Sequence, residues 1–273
     1  MSDSLIFGGS CCTESLSNIF SSSLWSADLL KTTSGILYVR ASLRQLAKPI
    51  ASAGGISQFL SKYIEFSEIF APHFYPIRRF WEKPFETLPP PTNSGALGKR
   101  LAELPDSYVS AHPTTAFVGI GDRIRQVLST HDYRQSSFEP ISALATSHDF
   151  SMLLLGCETE SPGFSTVHAA QFKLGLSQKH IYRFLLRWDR LENGKAVSSV
   201  APESPGCSMS FWKFYKYYEQ DGNLLRGDWH GVPWILVPSA SRALRVDLSI
   251  LSENGRFVDC GRSNCLTCRF RLY

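Results

Sequence analysis

The chain has 273 residues, of which 43% are hydrophobic and 19% are charged, and its formal net charge is +4. This composition predicts a folded protein with a substantial core and excludes an intrinsically disordered chain. No run rich in Lys and Arg indicates a nucleic-acid partner, and no apolar stretch is long enough to cross a membrane. The mild positive charge favours anionic ligands such as a coenzyme that carries phosphates.

The N-terminus has no basic region followed by a long apolar core, so it does not resemble a secretory signal. The seven cysteines are odd in number, and they are not spaced as a compact disulfide framework. We therefore expect a cytoplasmic protein with reduced thiols and no membrane anchor.

Short apolar runs alternate with amphipathic segments along most of the chain. The runs that predict strands are 36–39, 67–70, 116–120, 151–156, 181–188 and 232–237. Predicted helices begin at Gly54-Gly55, near Ser94, at Asp122 and at Ser165 or Thr166, and two more contain the aromatic residues Phe211, Phe214, Tyr215 and Tyr218 and the segment 243–251. The run at 151–156 is a candidate central strand, and Pro233 favours an edge or an end for its strand. The alternation predicts a three-layer mixed α/β fold.

Composition divides the chain into three parts. We expect a Ser-rich N-terminal segment at 1–30, one α/β domain at 31–255 and a Cys-containing tail at 256–273. Within the domain, the connection at 73–94 is rich in Pro and aromatic residues, and connections of that length are often functional.

The sequence Ser110-Ala111-His112-Pro113-Thr114 leads into the strand predicted at 116–120. Pro113 favours an extended conformation at His112 and prevents a helix from continuing through it. The imidazole is therefore a candidate acid, base or hydrogen-bond donor on a loop. The alternative is a histidine that only caps the start of the strand.

A second candidate follows the strand at 151–156, where a polar loop leads to a helix that starts near Ser165 and Thr166. His168 lies in the first turn, with Gln171 on the same face. Ligands collect beyond the carboxyl ends of strands, and amides at a helix start can bind an oxyanion. The alternatives are a helix that merely contains a histidine, or Cys157 as a nucleophile with His168 as its base.

Three cysteines lie close together near the C-terminus, at Cys260, Cys265 and Cys268. They could bind zinc or an iron–sulfur cluster if Cys207, Cys157 or a histidine supplied a fourth ligand from a distance. Free thiols or a structural disulfide are the simpler interpretation, so the sequence alone assigns no metal site.

Over roughly residues 33–250 these segments resemble the aminoglycoside 3-N-acetyltransferase family. The family's strand end Leu-Leu-Gly and its helix start Thr-Ser-x-His-x-x-Glu are similar to Leu154-Leu155-Gly156 and the sequence at 165–171, and its Ser-x-His-Pro-Thr loop is similar to 110–114. Weaker similarities follow the family's order, at Val39-Arg40-Ala41-Ser42-Leu43, Gly54-Gly55, Pro72-His73-Phe74 and the sequence 138–143.

The resemblance implies the three-layer fold of the antibiotic N-acetyltransferases, acetyl-CoA as co-substrate and a small-molecule acceptor, and it leaves a homodimer open. His168 would be the base that removes the ammonium proton before the amine attacks. His112 would orient the acceptor or relay the proton, and Thr166 would stabilise the oxyanion. The implied coenzyme site comprises Arg40, Ser42, Leu43 and Thr114, and the implied acceptor site comprises His73, Phe74, Glu160 and Gln171.

Three positions depart from the family pattern. Gln171 replaces a Glu, Pro162 replaces a frequent acidic residue, and Arg40 replaces a His. Carboxylates attract polycationic aminoglycosides, so their loss argues against that substrate and favours an amino sugar or another small hydroxyl-bearing amine. O-acetylation and a catalytically impaired homologue that binds a sugar or a partner are the alternatives.

Overall fold

The computed structural model describes residues 35–56, 58–59, 68–84, 89–92, 96–158, 163–229 and 231–270. The strands are β1 (Ile36–Ala41), β2 (Glu68–Pro72), β3 (Arg78–Arg79), β4 (Tyr108–Val109), β5 (Phe117–Ile120), β6 (Phe150–Leu155), β7 (Leu186–Glu192), β8 (Lys195–Val200), β9 (Leu225–Trp229) and β10 (Val232–Val237). The helices are α1 (Ala47–Ser52), α2 (Ala96–Ala102), α3 (Asp122–Thr130), α4 (Glu139–Leu144), α5 (Thr166–Lys173), α6 (Tyr215–Gln220), α7 (Ala240–Glu253) and α8 (Leu266–Arg269). Three 3-10 turns cover Ile181–Leu185, Phe211–Phe214 and Gly255–Val258.

The main sheet has the strand order β4-β5-β2-β1-β6-β10-β9. β1 pairs in parallel with both β2 and β6, and the outer strands are antiparallel. Pro72 at the end of β2 pairs with Phe117 at the start of β5, and Leu155 at the end of β6 pairs with Trp234 near the start of β10. The C-terminal ends of β1, β2 and β6 therefore lie at the same end of the sheet as the N-terminal ends of β5 and β10.

Both faces of this sheet are covered, because successive strand side chains point to opposite sides. Ile36 and Tyr38 belong to a core that packs against α3, α4, α5, α6 and α7. Leu37 and Val39 belong to a second core on the other face, with side chains from α2 and partly buried ones from α1. Two helical layers around a mixed sheet confirm the predicted three-layer α/β fold.

A small antiparallel sheet, β3-β7-β8, lies beside the main one. The turn between β7 and β8 is Asn193-Gly194, with φ of 51° and 76°, as a type I′ hairpin requires. Arg78 on β3 donates to both carboxylate oxygens of Asp189 on β7, at 2.5 and 2.8 Å, and both side chains are buried. This two-pronged ion pair holds the short β3 strand against the hairpin.

One prediction about the second half of the chain is wrong, and for Pro233 one of the two predicted alternatives holds. Residues 181–185 form a 3-10 turn, and the strand predicted at 181–188 begins only at Leu186. The turn forms because His180 Nδ1 accepts a hydrogen bond from the Tyr182 backbone N–H at 3.2 Å. Pro233 lies near the start of its strand, as one alternative predicted, but β10 is an interior strand between β6 and β9.

The other predicted elements are confirmed where they are described. Of the helix predicted after Gly54-Gly55, Ile56 and Phe59 are helical and Phe59 is buried, whereas Leu60 and Tyr63 lie outside the described residues. The N-terminal segment 1–30 also lies outside them, so the division into three parts stays a prediction. None of the described helices has the length and apolar character needed to span a membrane.

Candidate functional site

A cavity of about 500 Å³ opens at the sheet edge where β2 and β6 end. One wall comes from the small sheet and the connection that leads to it, and the opposite wall comes from α5 and the loop after β8. Its lining comprises Phe74, Ile77, Arg79, Glu82, Thr115, Phe138, His168, Tyr182, Leu186, Ser204, Pro205, Gly206 and Thr267. The long connection predicted to be functional thus supplies part of the wall.

His168 lies in the first turn of α5, and its ring is fixed from several sides. The ring stacks on Phe138, with centroids 4.3 Å apart, and meets the edge of Phe211 at 4.6 Å. Nδ1 lies 3.0 Å from Gln171 Oε1 and 3.0 Å from the backbone oxygen of Pro205. Among the described residues, an amide oxygen and a backbone carbonyl therefore orient the imidazole.

The two contacts of Nδ1 decide the tautomer of His168. The carbonyl oxygen of Pro205 can only accept a hydrogen bond, so Nδ1 must carry the proton that is donated to it. In the neutral ring the lone pair then resides on Nε2. This is the protonation state that a general base needs.

The loop that carries Pro205 is held by a buried carboxylate. Glu203 Oε1 accepts from the Ser137 backbone N–H at 2.6 Å, and Oε2 accepts from the Ser177 hydroxyl at 2.7 Å. The Ser204 backbone N–H also donates to the Ser177 carbonyl, at 3.1 Å. Glu203 thus positions the carbonyl that orients His168, and the sequence offered no motif to identify it.

The described lining of the cavity carries little net charge. Among its described lining residues, Arg79 and Glu82 are the charged ones, and the Arg79 backbone N–H donates to Glu82 Oε2 at 2.7 Å. The remaining lining combines aromatic and aliphatic side chains with the polar residues Thr115, Ser204 and Thr267. This lining suits an acceptor with a ring-sized body better than one with several ammonium groups.

His112 lines a different cavity, of about 320 Å³, together with residues from the β7–β8 hairpin. Its Nδ1 accepts from the backbone N–H groups of Thr114 and Thr115, at 3.3 and 3.0 Å. The proton must therefore be on Nε2, which is buried without a hydrogen-bond partner. Trp188 contacts the ring edge-to-face, with centroids 4.5 Å apart. Burial, assisted by the neighbouring His131, lowers the pKa of His112 well below its usual value.

His131 stacks on His112 with ring centroids 4.8 Å apart. Its Nε2 donates to the Ser136 carbonyl at 3.1 Å, and its Nδ1 accepts from the Ser110 hydroxyl at 3.0 Å. Burial lowers the pKa of His131 to about 4 despite the contact with the Ser136 carbonyl. Burial thus favours the neutral form of both histidines, and the role of His112 in the reaction stays a prediction.

Thr166, predicted to stabilise the oxyanion, is completely buried and is not among the described lining residues of the cavity. It neighbours Tyr218 and Asp247, whose side chains share a hydrogen bond of 2.5 Å between Tyr218 Oη and Asp247 Oδ1. Burial raises the pKa of Asp247 to about 7, while contacts with Tyr218 and Thr166 oppose that rise. The side chain of Thr166 thus belongs to a buried polar cluster between α5 and α7.

Two of the four predicted acceptor residues lie at the cavity or contact His168. Phe74 lines the cavity, and Gln171 contacts His168. His73 lies against Gly98 of α2, and its pKa is lowered, chiefly by burial. Glu160 lies outside the described residues.

The predicted coenzyme residues lie along the same edge of the sheet. Arg40 is near the end of β1 and Ser42 follows it, and the Ser42 backbone N–H donates to the Leu155 carbonyl at 3.0 Å. Leu43 packs partly into the second core, and Thr114 lies before β5. Two exposed cations that the sequence reading overlooked, Arg44 and Lys48, lie in and after the same turn.

A family model described as Aminoglycoside 3-N-acetyltransferase matches residues 69–244. The chain belongs to this family. Family membership confirms the predicted resemblance and the prediction that the chain is an acyltransferase of the acetyl-CoA-dependent type. A search of curated protein sequences found no match.

Solved acetyltransferase structures share the fold. The apoenzyme of aminoglycoside acetyltransferase AAC(3)-IVa is 19% identical and has a TM-score of 0.70, with 88% of this chain and 91% of that chain covered. A histidine-to-alanine variant of AAC(3)-IVa in complex with a gentamicin is 18% identical and has a TM-score of 0.69, with coverages of 89% and 93%. A binary structure of AAC-IIIb with CoASH is 16% identical and has a TM-score of 0.58, with coverages of 80% and 90%.

Proposed function

We propose that this acetyltransferase family member transfers the acetyl group of acetyl-CoA to an amine held in the cavity beside His168. The observation that carries the proposal is the hydrogen bond from His168 Nδ1 to the Pro205 carbonyl. It leaves the lone pair of the neutral ring on Nε2, on an imidazole that lines a cavity at the carboxyl edge of the sheet. A non-catalytic binding module would not require that tautomer.

In this reaction Nε2 of His168 removes the proton from the acceptor ammonium, because the nitrogen lone pair must be available for attack on the thioester carbonyl. The imidazolium that forms is held through Nδ1–H by Pro205 and Gln171. The C–N bond forms as the carbonyl becomes tetrahedral, and the C–S bond then breaks. The nitrogen gives up two protons on going from ammonium to amide: His168 returns one of them to the departing thiolate, and the other is released to water.

The acceptor we infer is an amino sugar or a similarly sized amine that bears hydroxyl groups. The cavity offers Phe74, Phe138 and Leu186 as flat and aliphatic contacts, and Glu82 as its carboxylate among the described lining residues. Related structures bind a gentamicin and apramycin, which supports a small-molecule amine. A polycation gains little from a lining that is nearly neutral.

For the coenzyme we propose the turn after β1. Arg40 is half-buried there, and Arg44 and Lys48 add two exposed positive charges that suit phosphate groups. Backbone amides near Ser42 and Leu43 would pair with the pantetheine arm, and Thr114 would contact it from the facing loop. The CoASH-bound relative supports a coenzyme of this class.

A thiol-release assay tests the proposal. Acetyl-CoA is incubated with a panel of mono-amino sugars, aminoglycosides and amine-free sugars, with His168→Ala as the matched control. We expect turnover on mono-amino sugars and an acetyl-CoA-dependent rise in melting temperature in both proteins. Turnover on amine-free sugars would replace N- with O-acetylation, and no turnover with retained binding would favour the binding module.

We also propose a cytoplasmic location and a homodimer, and each can be tested. Reduced thiols and an acetyl-CoA substrate are consistent with a cytoplasmic protein, and fractionation of cells would test this. A homodimer is tested by the molar mass of the purified chain in solution.

A further inference from the structure

Four cysteines from two distant parts of the sequence meet beside the cavity. Their sulfur atoms all lie within 4.8 Å of one another, at Cys207, Cys260, Cys265 and Cys268. Cys207 follows β8 by seven residues, whereas the other three belong to the C-terminal segment that ends in α8. Cys157, the fifth described cysteine, is buried elsewhere and donates to the Arg40 carbonyl.

The spacing of these sulfurs fits a single metal ion. Four thiolates about 2.3 Å from a tetrahedral zinc ion lie roughly 3.8 Å from one another. Cys268 Sγ and Cys260 Sγ are 3.6 Å apart, and the largest separation in the group stays below 4.8 Å. In an iron–sulfur cluster the thiolates bind different irons and therefore spread more widely.

Two backbone N–H groups donate hydrogen bonds to sulfur atoms of the cluster. The Met209 N–H donates to Cys207 Sγ, and the Cys260 N–H donates to Cys268 Sγ, both at 3.5 Å. Cys265 and Cys268 are three residues apart around the single turn of α8. N–H···S bonds of this kind offset thiolate charge and orient the ligands around a metal.

We propose that Cys207, Cys260, Cys265 and Cys268 bind one zinc ion in a closed tetrahedral site. Because all four positions are filled by protein sulfur, the ion has no open position for a substrate and acts structurally. Zinc here joins two segments that are distant in sequence, and its binding energy adds to the folding energy of the C-terminal segment.

The zinc site also helps to fix the loop that orients His168. The importance of this for catalysis rests on the proposed function, in which His168 is the base. Cys207 lies two residues after Pro205, whose carbonyl accepts from His168 Nδ1. On the other side, Thr267 lines the cavity and its carbonyl accepts from His180 Nε2. Glu203 holds one end of the 203–207 loop and the metal would hold the other, so both ends of the segment that orients the imidazole are fixed.

Elemental analysis of the intact, reduced wild-type chain is the first test. We expect one equivalent of zinc, and replacement by Co²⁺ should give the visible absorption of tetrahedral thiolate-bound cobalt. Cys207→Ser should lose the metal, whereas the matched control Cys157→Ser should keep it, because Cys157 lies outside the cluster. A chelator should lower the melting temperature of wild-type protein but not that of Cys207→Ser.

Three outcomes would overturn the zinc site. These are four titratable free thiols without metal, a disulfide that removes two thiols from the titration, and iron with acid-labile sulfide. The wild-type measurements decide between them even if Cys207→Ser does not fold. Zinc in a protein that releases no thiol from acetyl-CoA would leave the site intact and contradict only the proposed acyl transfer.

Discussion

His112 and His168 are both buried, and each contacts an aromatic ring, yet they hold opposite tautomers. His168 Nδ1 donates to Pro205 and Gln171, so its lone pair is on Nε2. His112 Nδ1 accepts from two backbone N–H groups, so its Nε2 carries a proton. Only the first can accept a proton at Nε2, and only the second can donate one there. The backbone partner of Nδ1, rather than the residue type, assigns the role.

The largest expected effect separates the two histidines by activity. His168→Ala should lower kcat by about 100-fold or more, because the base is lost in the transition state. The melting shift caused by acetyl-CoA should be nearly unchanged, which serves as the control for folding and coenzyme binding. A variant that keeps near wild-type turnover on the true acceptor would move the base to another residue.

The next effect concerns the stability at acid pH of the buried pair His112 and His131. An unfolded histidine titrates near pH 6.5, whereas the folded pKa of His131 is about 4. Its contribution to stability is therefore present above pH 6.5 and is lost as the pH falls towards 4, on the order of 3 kcal/mol in total. Denaturant unfolding of His131→Gln should show a flatter pH dependence than wild type, and the exposed His148→Gln should match wild type. An equal slope in all three proteins would contradict a buried neutral pair.

Substitution of His112 itself is expected to have a smaller effect on stability. His112→Ala leaves the N–H groups of Thr114 and Thr115 without their acceptor, which should cost about 2 kcal/mol of stability. His112→Asn should recover part of this loss, because a side-chain amide oxygen can accept from the same turn. We expect kcat of the Asn variant to change by less than about tenfold, below the range of general acid–base catalysis. A 100-fold loss of kcat at unchanged stability would make His112 catalytic and end the contrast.

The smallest effect sharpens the description of His168. Gln171→Glu places a negative charge beside Nδ1–H and stabilises the protonated imidazole. The acid limb of the kcat profile should move to higher pH, and the plateau rate should hold or rise a few-fold. Gln171→Met, which removes the acceptor without adding charge, should lower the rate. If both variants behave as wild type, Gln171 does not contribute to orienting the ring.

Several features of the fold could be predicted because they depend on local chemistry. The continuous apolar run predicted at 151–156 matches the buried strand β6 at Phe150–Leu155, and the polar loop after it led to the helix that carries His168. The apolar run at 181–188 predicted a strand from Ile181, whereas β7 begins at Leu186. Before it, His180 caps a 3-10 turn through Nδ1, which accepts from the Tyr182 backbone N–H.

The candidate site was less predictable than the fold. The sequence pointed to His168, Phe74 and Gln171, which lie together, and to Thr166 and His73, which are buried and are not among the described lining residues of the cavity. Whether Thr166 and His73 act in the reaction is still a prediction. Glu203 carried no motif, because a buried carboxylate is identified by the donors that surround it rather than by its neighbours in sequence.

The sequence alone determined the alternating pattern that covers both sheet faces, the helix start at His168 and the family to which the chain belongs. Only the tertiary structure decided that Pro205 faces Nδ1 of His168 and that Cys207 joins three cysteines more than fifty residues later. The side-chain periodicity of a strand or helix depends on residues close in sequence, which a pattern records. A tautomer or a four-sulfur cluster depends on atoms brought together by the folded chain, and no local pattern encodes that distance.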